Sequence, residues 1–241
     1  VLVEKGVLFN DLQNRKSWMG HYQVITGYDD AKGVFIAQDS YVKANLEESY
    51  DQFMTDWRSF NFTYLVLYRP EQESQVMALL GPDADETENF RNAFALASNE
   101  VYGLEGVDQF FAWYNIGTNL VKLQDFAGAA NAYDQAFTLY NTLPQDLASR
   151  PYRMLWYQTG PYFAYYYMGR YQDVVDLATN NSIAVVLDDK PALEETFYWR
   201  GMARYQIGEV DGAVEDMRAA LKWHKDFGPA LQALQTWGVT P

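Results

Sequence analysis

The chain has 241 residues, 49% of them hydrophobic, no cysteine, and a formal net charge of −14 at pH 7. That length allows one large or two small domains with ample apolar material for a core. The charge argues against nucleic acid and anionic membrane surfaces as partners, and the lack of cysteine excludes disulfides and thiolate metal sites.

The charge is uneven. Residues 1–70 carry 7 basic and 9 acidic residues, net −2, whereas residues 71–241 carry 11 basic and 23 acidic, net −12. The anionic second part serves solubility and is compatible with a cationic peptide. No apolar run approaches the roughly 20 residues that a membrane helix needs, so no membrane insertion is expected. A chain without thiols suits an oxidising or a reducing compartment equally.

Residues 1–70 have strand character. Val1–Phe9 is rich in branched residues around Gly6, and Asn10–Gly20 is a polar loop. His21–Tyr28 and Val34–Gln38 predict a hairpin over the turn Asp29–Gly33. Ser40–Glu48 is irregular. Ser49–Trp57 predicts a short helix with Ser49 as cap and Phe53, Met54 and Trp57 at helical spacing. Phe62–Tyr68 predicts a last strand, stopped by Arg69-Pro70. This order implies an α+β region with a thin core, and residues 71–84 are expected to be a linker.

From Asp85 the pattern is helical. Asp85 and Glu88 form a capping-box signature, with Phe90, Phe94, Leu96 and Ala97 following and Gly103 closing the helix. Internal repeats follow. Gly117, Ala129 and Ala136 recur as Gly201, Ala213 and Ala220, each 84 residues later. Met168-Gly169-Arg170-Tyr171 marks a middle unit, and Asn141–Pro151 and Asn180–Ala192 supply long connections. The small residues predict close helix contact, with Trp113, Tyr133 and Met217 filling the gaps. Asp226-Phe227-Gly228-Pro229 opens a terminal helix that covers the end of the stack.

Two residues stand out chemically. Gly20-His21 opens one predicted strand and Asp39 ends the next. In an antiparallel hairpin the head of one strand lies beside the tail of its neighbour, so His21 and Asp39 are expected to meet as a base and its orienting acid. Trp18 and Gln23 flank His21 and are candidates for lining a substrate cleft. Asp29 and Asp30 are alternative acids, but they sit in a turn that needs them for backbone bonding. His224, in Lys-Trp-His-Lys at a helix end, reads as structural. The aromatic run Tyr162, Phe163, Tyr165, Tyr166, Tyr167 reads either as a partner-binding face or as core around Pro161. Asn61-Phe-Thr63 and Asn180-Asn-Ser182 match glycosylation sequons by chance, and Asp188-Asp189 and Glu194-Glu195 lack further ligands at metal spacing, so neither metal nor cofactor is expected.

Residues 20–41, with the Tyr50–Trp57 helix and the Tyr64–Tyr68 strand, resemble the C-terminal half of the C39-like family of papain-like cysteine peptidases. In that family the histidine sits at a Gly-His-aromatic strand start and the aspartate follows one strand later. The resemblance implies that His21 is the base, that Asp39 orients it, and that a cysteine and an oxyanion-hole glutamine lie upstream in a helical half not contained in these residues. Ser40 stands where the family often has proline. Residues 107–223 resemble tetratricopeptide repeats. The combination looks like bacterial C39-like domains followed by such repeats: residues 1–70 a partial papain-like sheet, 71–84 a linker, 85–241 an all-α repeat array with a capping helix.

Three functions follow. The chain is the His/Asp portion of a cysteine peptidase, inactive alone because no nucleophile is present, with the N-terminal peptidase half as its partner. Or it is a non-catalytic module whose repeats bind a peptide or protein beside a degenerate peptidase fold. Or the repeats only stabilise the peptidase part.

Overall fold

The computed structural model describes residues 1–10, 16–146, 150–179 and 193–240. The expected connection Asn180–Ala192, with its sequon and Asp188-Asp189, lies outside the described residues, as do parts of the expected loop 10–20 and connection 141–151. An antiparallel five-stranded sheet is followed by helices. Among the described residues, no helix is long and apolar enough to cross a membrane.

The sheet contains β1 (Leu2–Asn10), β2 (Lys16–Asp29), β3 (Val34–Gln38), β4 (Leu46–Ser49) and β5 (Tyr64–Leu65), in the order β4-β3-β2-β1-β5. The expected hairpin is present, closed by Asp29, whose Oδ1 accepts from the amides of Ala31 and Lys32 at 3.0 and 3.2 Å, and by Gly33 at φ 65°. A bulge between Ile25 and Gly27 shifts the register. The stretch 40–48, expected to be irregular, ends in β4, which pairs with β3. The expected strand 62–68 is paired only at Tyr64 and Leu65.

Helix α1 (Tyr50–Arg58) begins where Ser49 accepts from the Gln52 amide. Its Phe53 is buried against Phe35, with ring centroids 4.7 Å apart. Lys5 of β1 is also buried. Its ammonium pairs with Glu48, lies 3.8 Å from Asp56 and sits over the Phe53 ring, 5.4 Å from the centroid. A buried lysine is tolerated only with such partners.

Residues 70–84, expected as a linker, are helical: a 3-10 turn at Pro70–Gln72, α2 (Glu73–Leu80) and a second 3-10 turn at Gly81–Ala84. Helix α3 (Glu86–Glu100) starts at Asp85, which accepts from the Glu88 amide at 2.9 Å, and α4 spans Gly106–Lys122. Residues 1–125 with 131–150 form one compact unit, and residues 126–130 with 151–241 form another. Polar ties explain the first grouping. Arg58 engages both Glu100 oxygens at 3.1 and 3.2 Å and Asp108 at 3.3 Å. The Asn61 and Asn119 amides bond reciprocally at 2.8 and 3.0 Å. That pairing holds Asn61 and Phe62 in a left-handed turn, φ 53° and 52°, which non-glycine residues adopt only under constraint.

Helix α5 spans Phe126–Tyr140. Then come α6 (Met154–Tyr157), α7 (Gly160–Tyr167), α8 (Tyr171–Thr179), α9 (Glu194–Gln206), α10 (Val210–Trp223) and α11 (Gly228–Thr236). The 84-residue echo has a structural counterpart. A Cβ at Gly117 would lie 2.6 Å from the Tyr133 ring, and one at Gly201 would lie 3.0 Å from Met217 and from the Ala213 carbonyl. Tyr133 and Met217 are themselves 84 residues apart. Each helix hairpin therefore closes on the same small-against-large contact. Between α9 and α10, the buried Asp216 accepts from Arg200 at 2.6 Å and from Arg204 at 2.9 Å. The α11 residues Ala230 and Leu234 pack with Met217 and Ala220 in the core of the second unit.

Gly117→Ala separates two opposed effects. Helix propensity favours alanine by about 1 kcal/mol, but overpacking against a buried ring costs about 1–3 kcal/mol. The expected outcome in urea denaturation is a net loss of stability. A gain would mean that Tyr133 yields freely.

Candidate functional site

β2 begins at Lys16, so His21 lies inside the strand, opposite Lys5, and not at its head. It still meets Asp39, because the β2–β3 register pairs Val24 with Gln38. One step further sets Asp39 beside Gln23, and His21 is two residues along on the same face, within the diagonal reach of neighbouring strands. His21 Nε2 and Asp39 Oδ2 are 2.8 Å apart. An ionised carboxylate only accepts, so Nε2 carries the hydrogen of this bond. The imidazole is 12% exposed and the carboxylate 3%.

Asp39 is held from three sides. Its Oδ2 also accepts from Gln23 Nε2 at 3.0 Å, and its Oδ1 accepts from the amides of Tyr41 and Val42, both at 2.8 Å. Burial pushes this carboxyl upward, but the Val42 amide, His21 and the Tyr41 amide outweigh it and hold it below its ordinary value. The donors come from residues 41 and 42 and not from residue 40, so serine in place of proline at position 40 takes nothing from the clamp. Phe9 sets its ring at 86° to that of His21, centroids 5.0 Å apart, and packs on Tyr41. Phe9 and the two loop amides were not singled out in the sequence. Asp39-Ser-Tyr-Val does carry an Asx-turn signal, in which an aspartate captures amides two and three residues on. Phe9 has no such local signal, since its place depends on the β1–β2 pairing.

The cleft candidates sort differently from the expectation. Gln23 is 1% exposed and acts as a clamp on Asp39, not as a cleft wall. Trp18 lies three positions before His21 in β2. It stacks between Phe60 and Phe111 and borders a different cavity, of about 390 Å³, with Asp56 and Asp108. Of the aromatic run, Tyr162 and Tyr165 are buried, while Tyr166 is half-buried and Tyr167 exposed. Helical spacing puts positions 162 and 165 on the inward side of α7. Burial raises the Tyr162 phenol. Tyr167 packs with Phe126, and Phe163 with Trp199. His224 caps α10 and bonds Glu194 at 2.9 Å. Among the described residues, no group of three His, Asp or Glu side chains could hold a metal ion.

Because the folded-state value of Asp39 is depressed, its stabilising contribution is complete above the ordinary value of 3.8 and drains away as pH falls through the lower folded value. Asp39→Ala is therefore expected to cost about 2–4 kcal/mol at pH 7, the scale of losing charge-assisted hydrogen bonds. That deficit should hold constant above the ordinary value of 3.8 and shrink as pH falls below it in urea titrations; a pH-independent deficit would contradict the clamp. Searches of protein-family models, curated proteins and solved structures found no match to this chain.

Proposed function

We propose that His21 and Asp39 are the base and orienting acid of a C39-like, papain-like cysteine peptidase, and that the thiol comes from chain outside these 241 residues. The observation that carries this reading is the 2.8 Å bond between His21 Nε2 and Asp39, whose other oxygen is held by the amides of Tyr41 and Val42. A thiol at the ring's other nitrogen would pass its proton to Nδ1, and the thiolate would attack an amide carbonyl. The imidazolium would then protonate the leaving amine. Asp39 stabilises the imidazolium without taking the proton. The helical part is read as a tetratricopeptide-type array, supported by the recurrent contacts at Gly117 and Gly201.

The test is to express the complete reading frame that encodes this chain and assay it on a fluorogenic peptide library. Thiol-dependent hydrolysis is expected, falling by about 10²–10⁴ in His21→Ala, the usual worth of a general base. The 241-residue chain alone should hydrolyse nothing. Full activity in His21→Ala, or a complete protein lacking any thiol near His21, would overturn the reading. A second reading, a binding module, is favoured by one observation, the exposed aromatic group of Tyr167 with Phe126 and Phe163. If that group captures peptide, Tyr167→Ala weakens binding while His21→Ala does not.

A further inference from the structure

The extended segment that contains β5 is a strand with only part of its pairing. Thr63 gives its carbonyl to the Glu4 amide, at 3.5 Å, so alternation turns the backbone groups of Tyr64 and Val66 away from β1. The strand pattern continues past the paired residues. Side-chain burial alternates from Thr63 to Leu67, and Arg69 is still extended at φ −82°, ψ 151°. Among the described residues, no backbone hydrogen bond joins Val66, Leu67 or Tyr68 to any other backbone group. Natural edge strands are usually blunted by charge, proline or a bulge. This one presents Leu65 at 56% exposure and Leu67 at 76%, and carries no charge before Arg69-Pro70.

The segment also borders an open groove. It forms one wall of a cavity of about 420 Å³, whose apolar lining includes Val66, Met77, Leu80 and Phe90 and whose acidic lining is Asp83 and Glu86. The helices beyond reinforce that sign: residues 71–125 carry 10 acidic and 2 basic residues, net −8. Three features coincide here, namely unpaired strand donors and acceptors, an apolar trough beside them, and a negative surround. Each selects a property of the occupant. The strand edge selects an extended backbone, the trough selects an apolar side chain on alternate residues, and the surround selects positive charge.

We propose that the β5 edge binds an extended cationic peptide segment, which adds to the sheet as a sixth strand and sets apolar side chains between β5 and α2–α3. The proposal does not depend on His21 or Asp39, and its test needs no catalytic activity.

The probe is a fluorescein-labelled hexapeptide of alternating lysine and valine, titrated against the full chain at low salt by fluorescence anisotropy. Two control peptides accompany it, one with N-methylated valines and one with glutamate in place of lysine. Saturable binding of the lysine peptide is expected, at least tenfold weaker for either control. Leu67→Lys and Glu86→Gln, both at exposed positions, should each weaken it several-fold with an unchanged circular dichroism spectrum. Hydrogen exchange at the Tyr64 and Val66 amides should slow when the peptide binds. Equal affinity for the N-methylated peptide would show side-chain capture without strand addition and overturn the proposal. So would no binding of the lysine peptide, binding without amide protection, or protection that appears with protein concentration alone, which would mean that two copies pair through this edge.

Discussion

Asp39 is a small acidic side chain at the end of a strand, yet it fixes the backbone of the loop after β3, the amide of Gln23 and the imidazole of His21 at once. The arrangement depends on one oxygen facing the loop and the other facing the strand. Two backbone amides fill Oδ1, so the rotation of the carboxylate is set before His21 is considered. The histidine inherits its orientation from that constraint. The imidazole is thereby held more firmly than a lone strand histidine would be.

Polar ties of the same kind organise the rest of the first unit. Arg58 bridges the end of α1 to α3 and α4, and Asn115 donates to the Arg58 carbonyl at 2.7 Å. The reciprocal Asn61–Asn119 amides hold the left-handed turn that launches β5. Such buried polar contacts are directional and fail if the helix slides by one residue, so they specify where the sheet sits against α4 more sharply than apolar packing would.

Much of the layout is legible in the residues. The Asp29–Gly33 turn, the Ser49 cap and the Asp85 cap are local chemistry, and local chemistry is what a sequence displays directly. The 84-residue echo exposes the helix hairpins because close contact demands small residues at fixed positions. Position within β2 is less visible. The strand begins at Lys16, earlier than the polar composition of 10–20 suggests, because pairing with β1 overrides composition there. The roles of Gln23 and Trp18 depend on partners from other elements, Asp39 for the one and Phe60 and Phe111 for the other. Residues 70–84 fold as short helices despite Gly81-Pro82, since a proline at the second position of a 3-10 turn, where the amide has no partner within the turn, loses no hydrogen bond. The division into units is invisible locally because Arg58, Asn61 and Trp18 find their partners about 40 to 90 positions away.

The recurrent glycine contact has a consequence for how chain length is distributed. Gly117 with Tyr133 and Gly201 with Met217 each close within a single hairpin, without help from the residues between the hairpins. A module that is sealed at its own elbow places little demand on the thread leading to the next one. Insertions and deletions would therefore accumulate in those threads while the elbows stay fixed, and the separation between equivalent glycines could drift away from any strict period without loosening either joint.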